Sequence, residues 1–249
     1  PFTFPNYLIK LWEAFFLEVR LEFKKKIIQQ KYPEKINEPN ASSKFQDKIP
    51  ISSDDLINKL DQWNIKYKYF EHAPLRTVKD SKLVQDMFLN ADQGGGHIKN
   101  LYLRDHKKNN ILLITHQDSL INLKVIQTHM GVGRLSFGSP ERLMEHLGVF
   151  PGAVTPFSMI NGVKKNVLLF IDATLKSYTK IYAHPLVNDR TLELSIESLE
   201  IFFKKIKVTP QWINLWFLKL GEFTGFRLWA MIKRIGILIV DYNIGVLIS

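Results

Sequence analysis

The chain has 249 residues, 45% hydrophobic and 23% charged, which supplies a packed core and excludes a disordered or fibrous protein. It holds no cysteine, so a disulfide framework and a thiolate metal site are excluded and a reducing compartment is suited. The net charge of +10 favours polyanions such as RNA as partners, through an attraction that salt would screen.

Residues 1–49 read as an extension. Leu8, Leu11, Trp12, Phe15, Phe16, Val19, Phe23 and Ile27 recur at three- and four-residue steps, the stripe of an amphipathic helix. Lys24-Lys25-Lys26 stands near its end, where cations suit the helix dipole. Such a stripe packs on its own domain more often than on a partner or a membrane surface. Residues 33–50, with Pro33, Pro39, Asn40, Ser42, Ser43 and Pro50, read as a linker. Pro1 in place of Met is what a fragment or an incomplete reading frame would show.

Ser52-Ser53-Asp54-Asp55 forms a helix cap before Leu56, Ile57 and Leu60. Ile65 to Phe70 alternates as a half-buried strand does, and Glu71-His72-Ala73-Pro74 ends it. Further strands are expected at 99–104, 110–115 and 166–172, and helices at 80–89, 121–130, 139–147 and 195–205. Strands and helices mixed without steady alternation argue an α+β fold. Residues 208–249 concentrate Trp212, Trp216 and Trp229 and end apolar from Ile235 to Val240. Lys233, Arg234 and Asp241 bracket a run shorter than the ~20 residues of a spanning helix, so this tail reads as an interfacial helix or an artefactual extension. No cleavable signal pattern is visible.

Three segments carry the chemistry. The first is Gly95-Gly96-His97-Ile98-Lys99-Asn100-Leu101. A Gly pair lets backbone approach a ligand closely, and Lys99 and Asn100 then offer a charge and an amide at the mouth of a strand. On its own the run reads first as a Gly turn with a snorkelling Lys and a strand-end Asn cap. The second runs from Gly131-Val132-Gly133-Arg134-Leu135-Ser136-Phe137-Gly138-Ser139-Pro140-Glu141-Arg142-Leu143 into Leu147-Gly148-Val149-Phe150-Pro151-Gly152-Ala153-Val154-Thr155-Pro156-Phe157. The third is Ala183-His184-Pro185-Leu186-Val187-Asn188. A lone His is more often structural, but its pKa permits proton traffic near neutrality. No Ser-His-Asp set with a nucleophile elbow and no metal motif is evident, so no metal and no cofactor is expected.

Together the three segments resemble the prolyl-tRNA editing family. That family comprises the YbaK proteins, the insertion domain of bacterial prolyl-tRNA synthetases, and the free-standing ProXp-ala (PrdX) deacylases. The likeness covers about Ile51 to Lys207 and is strongest to the free-standing branch. It implies a mixed, curved β-sheet flanked by helices over residues 50–207, with 1–49 and 208–249 as extensions. It implies hydrolysis, in trans, of the ester of mischarged Ala-tRNA(Pro). Cys-tRNA(Pro) is the alternative substrate, and a non-catalytic tRNA- or synthetase-binding module the alternative class. A proline pocket rejects the smaller alanine by only ~1–3 kcal/mol, which is why a second, sieving site is useful.

Residue by residue, the resemblance assigns catalysis to Lys99, Asn100 and His184. Lys99 would hold a phosphate or polarise the ester carbonyl, and Asn100 would orient the substrate amine or a water. His184 would hold a hydroxyl or a water. Substrate binding falls to Thr77, Gly152, Ala153, Val154, Thr155 and Pro156, with His97 in support. Arg134 and Arg142 are candidate phosphate contacts, solvated charges by default. The expected partners are tRNA(Pro) carrying a wrong amino acid and prolyl-tRNA synthetase. DNA and membrane contact are not expected, and the expected location is cytoplasmic.

Overall fold

The computed structural model describes residues 41–75, 84 and 87–215. The N-terminal stripe, most of the helix expected at 80–89, Thr77 and the tail beyond Leu215 lie outside the described residues.

The centre of the fold is an antiparallel hairpin of β2 (Gly95–Asp105) and β3 (Asn110–His116). Its turn is fixed by the Asp105 carboxylate, which accepts from the Asn109 backbone N–H and side-chain amide, both at 2.8 Å. Lys108 completes the reversal at φ 71°. The remaining strands are β1 (Lys68–Glu71), β4 (Leu135–Phe137), β5 (Leu168–Asp172), β6 (Lys180–Ala183), β7 (Arg190–Leu194) and β8 (Gln211–Ile213). The sheet order is β1-β7-β6-β2-β3-β5-β8, with β4 attached to β2. β2 runs parallel to β6, and β5 runs parallel to both β3 and β8. The result is the mixed α+β architecture read from the sequence.

All seven residues of β3 are buried, because both faces of the sheet are covered. Leu112 and Ile114 belong to one core, with Leu56 and Leu60 of α1 (Ser53–Gln62), Leu143 and Leu147 of α3 (Pro140–Leu147), and Phe202 and Phe203 of α5 (Ile196–Lys205). Ile111 and Leu113 point the other way, onto Leu103, Phe170 and Ile126 of α2 (Leu123–His129). The α4 turn (Met159–Gly162) lies between β4 and β5 in sequence. The helix ends follow local chemistry. Ser52, Ser139 and Ser195 cap α1, α3 and α5 through their hydroxyls, and Gly148 stops α3 at φ 65°.

The packed unit is longer than the 50–207 span expected from sequence. Ala41 and Ile49 are buried in the first core, and residues expected as linker form a 3-10 helix, Ser43–Lys48. The physical reason is a set of long-range hydrogen bonds. The Ala41 carbonyl accepts from Asn188 N–H at 2.9 Å, and the Asp189 carboxylate accepts from the Ser43 N–H and hydroxyl at 2.7–3.0 Å. At the other end β8 extends the sheet, with the Trp212 ring beneath the Lys176 ammonium at 4.2 Å. Among the described residues no helix is long and apolar enough to cross a membrane.

Candidate active site at a notch in the sheet

β2 has β3 along one edge from Ile98 to Arg104. Its other edge is shared. β6 pairs with Gly95, Gly96 and His97, and β4 pairs with Leu103, Arg104 and Asp105. Between them, from Ile98 to Tyr102, no described strand occupies that edge. Lys99 and Asn100 stand in this notch. β6 pairs Tyr182 with His97 and ends at Ala183, so continuing its register brings His184 level with Lys99.

The sequence offers Gly95 and Gly96 either as a plain turn or as a close approach to a ligand. The structure corrects this, because both lie inside β2. A Cβ on Gly95 would sit 1.9 Å from the Leu89 carbonyl oxygen, and one on Gly96 2.5 Å from Ile181 Cδ1. The chain itself occupies the space that the glycines leave. The true turn glycine is Gly94, at φ 89°.

His184 is held on three sides. Its Nδ1 lies 3.0 Å from the Arg190 carbonyl oxygen, which only accepts, so Nδ1 carries the proton and Nε2 is the basic nitrogen. Its own carbonyl accepts from the Thr155 hydroxyl at 2.6 Å. The His72 ring stands edge-on with centroids 6.3 Å apart. His72 was given no role from sequence; its Nδ1 meets the Ala73 carbonyl and its Nε2 the Thr191 hydroxyl, at 2.9 and 2.8 Å. Burial lowers the pKa of His184, opposed by the Arg190 carbonyl and the Asp189 charge, so the imidazole is neutral at pH 7. Leu186, two residues on, is held at φ 66° while almost fully buried, a strained backbone kept in place by packing.

The Gly152–Pro156 loop joins the site through Thr155. Gly152 turns the chain at φ 90°, which seats Ala153 and Thr155 with no exposure while Val154 stays half-buried. Thr155 also accepts from Phe157 N–H at 3.5 Å, and its carbonyl accepts from the Ser158 hydroxyl at 2.6 Å. Pro156 begins the 3-10 turn Pro156–Ser158.

Lys99 and Asn100 do not face one ligand side by side as the sequence suggested. Alternation along β2 puts Lys99 on the face of Leu101 and Leu103, and Asn100 on that of Ile98 and Tyr102. Lys99 Nζ donates to the Ser119 carbonyl at 2.7 Å, and the Ser119 hydroxyl is buried without a hydrogen-bond partner. Asn100 Oδ1 is likewise buried with no partner, an unspent acceptor that costs about 1–3 kcal/mol until something donates to it. His97 binds the protein. Its Nε2 meets the Leu89 carbonyl at 2.9 Å and its ring stacks on Tyr182 at 4.7 Å, and burial lowers its pKa. Arg134 is exposed, whereas Arg142 is half-buried and donates to Asn110 Oδ1 at 3.1 Å. Among the described residues no group of three or more His, Asp or Glu side chains is placed to hold a metal ion.

The notch thus offers a neutral imidazole with a basic Nε2, level in register with Lys99, and on the opposite face of β2 an amide oxygen without a donor. Residues 73–202, which contain all of it, match the family profile described as aminoacyl-tRNA editing domain. The chain belongs to that family. Among its relatives, the prolyl-tRNA editing protein ProX of Acetoanaerobium sticklandii is 35% identical over 150 residues, covering 60% of this chain and 88% of that protein. Prolyl-tRNA synthetase associated domain-containing protein 1 of Mus musculus is 37% identical over 127 residues, covering 48% and 73%. The protein of that name from Xenopus laevis is 29% identical over 162 residues, covering 63% and 92%. Within the editing domain, Thr155 is tied to His184, Lys99 and Asn100 stand on opposite faces of β2 at its unpaired edge, Gly95 and Gly96 are packing residues, and Thr77 lies outside the described residues.

Proposed function

We propose that this chain is a trans-editing deacylase that hydrolyses the ester of mischarged Ala-tRNA(Pro) to free alanine and tRNA. The observation that carries the reading is the His184 ring, fixed through Nδ1 so that Nε2 is the basic nitrogen, in an editing-family domain. The name of the ProX relative supports prolyl-tRNA as the substrate class.

In this reading the Lys99 ammonium holds the ester carbonyl or the adjoining phosphate. Asn100, on the other face of β2, orients the substrate amine or a water at the open strand edge, where its Oδ1 lacks a donor. His184 Nε2 takes a proton from the attacking water and returns it to the ribose oxygen as the ester C–O bond breaks. The Gly152–Pro156 loop, with Ala153 and Val154, bounds the acyl pocket. Prolyl-tRNA synthetase is the source of the mischarged substrate, and the reaction takes place in the cytoplasm with translation.

The test is deacylation of Ala-tRNA(Pro), Cys-tRNA(Pro) and Pro-tRNA(Pro) by the purified protein beside Lys99→Ala. Selective loss of alanine, abolished in the variant, is the expected result. Faster loss of cysteine would move the protein to the cysteine branch. tRNA binding without hydrolysis of any ester would leave a binding module.

A further inference from the structure

Two arginines adjoin Asn110 at the β4 end of the notch. Arg104 is the cross-strand partner of Asn110, and Arg142 reaches Asn110 Oδ1 from α3 at 3.1 Å. The same oxygen accepts from the Tyr102 hydroxyl at 2.8 Å. Nε of Arg104 and Nε of Arg142 are both buried with no hydrogen-bond partner. Neither arginine forms a salt bridge among the described residues. The nearby carboxylate of Glu145 acts on Tyr102 only at a distance. Burial raises the Tyr102 pKa, Arg142 and Arg104 oppose that rise, and Glu145 adds to it.

Two half-buried cations with unspent N–H donors and no carboxylate form an incomplete ion pair. A folded chain pays to desolvate them, and a tetrahedral oxyanion with several acceptor oxygens would complete both forks. Tyr102 and Asn110 are themselves buried and bonded, so they fix Arg142 rather than compete for the ligand. We propose that Arg104 and Arg142 form a phosphate-binding site for the RNA backbone of the acceptor arm, upstream of the terminal adenosine. Arg104 lies four residues along β2 from Asn100, about 13 Å at ~3.3 Å per residue, so this phosphate is not that of the ester-bearing nucleotide. Naming RNA as the ligand rests on the deacylase reading; the anion site rests on the arginines alone.

The experiment compares the full chain with Arg104→Gln and Arg142→Gln. It measures binding of uncharged tRNA(Pro) across a salt series, and hydrolysis of Ala-tRNA(Pro) and of 2′(3′)-O-alanyl-adenosine, which carries no upstream phosphate. Each variant is expected to weaken tRNA binding about tenfold, the loss of a charge-assisted contact. The slope of log affinity against log salt should fall by about 0.7–0.9 per contact. Turnover of alanyl-adenosine should hold. Unchanged tRNA affinity and slope would overturn the proposal, as would an equal loss on both substrates, which marks a structural role. Inorganic phosphate that binds the wild type but not Arg104→Gln, with tRNA binding equal in both, would assign a free-anion site and overturn the RNA assignment. Hydrolysis by none of the proteins, with the binding effect intact, would sink the deacylase reading and leave the phosphate site standing. Because Arg142 also braces Asn110, Arg104→Gln decides the matter if Arg142→Gln does not fold.

Discussion

Replacing Thr155 by Val removes one hydroxyl and almost no volume. Thr155 is fully buried, so water does not replace the lost donor. The His184 carbonyl forfeits its 2.6 Å hydrogen bond, and Phe157 N–H loses its long cap at 3.5 Å. A net loss of about 0.5–1.5 kcal/mol for the bond, plus part of the penalty for a buried unpaired carbonyl, sums to about 2 kcal/mol. For a domain of this size that lowers the melting temperature by about 4–8 °C. The activity effect should be larger than stability explains, because the freed carbonyl belongs to the residue whose ring the proposed mechanism uses. A fall in kcat of about tenfold or more is expected with little change in KM, and Thr155→Ser should restore most of it. The assays are thermal unfolding and steady-state deacylation on the same preparations. A Thr155→Val protein within 0.5 kcal/mol of wild type and with full kcat would refute the reasoning.

Lys99→Ala should lower deacylation by about 100-fold or more while the circular dichroism spectrum holds; retained activity would remove Lys99 from the mechanism. Gly95→Ala forces a Cβ to within 1.9 Å of a backbone oxygen, so it should cost about 3 kcal/mol or more in chemical denaturation, and a neutral result would show that β2 can shift there. The depressed pKa of His184 keeps the ring basic and neutral above its ordinary value of about 6.5, so kcat should be flat at neutral pH and fall only in acid below that value. His97 and His184 are both depressed by burial, so the unfolded chain binds more protons than the folded one as pH drops below about 6.5. Their contribution to stability is therefore complete above that pH and lost on acidification, which urea midpoints at pH 7.5, 6 and 5 would read.

Periodicity made the hairpin and the helices legible. The β3 run and the capped start of α1 follow from residue type and spacing, and the spans expected at 121–130, 139–147 and 195–205 overlap α2, α3 and α5, whereas the four-residue α4 carried no signal. Strands β4, β6, β7 and β8 have three to five residues each, too few to show a period, and exist because the sheet offers them an edge. The Gly95-Gly96 pair was visible, but not its cause, since the Leu89 carbonyl that fills the space comes from a loop whose path depends on tertiary packing. Lys99 and Asn100 are neighbours in sequence and strangers in direction, which alternation already implies for the strand expected at 99–104 as well as for β2. Thr155 was read as a pocket residue, whereas its hydroxyl is spent on His184, a contact across 29 residues of chain with no local signature. Arg104 drew no notice, because an unmet hydrogen bond is a property of a fold.

The turn that carries His184 is fastened by residues far earlier in the chain. Ser43 holds Asp189 across 146 residues, and Arg190, whose carbonyl fixes the His184 ring, pairs with Asp54 across 136. Loops of that length close late, since their entropy is lost before their contacts repay it. The basic nitrogen is therefore oriented only after the two ends of the domain have met. A partly folded chain carries every residue of the site without the contacts that aim the His184 ring.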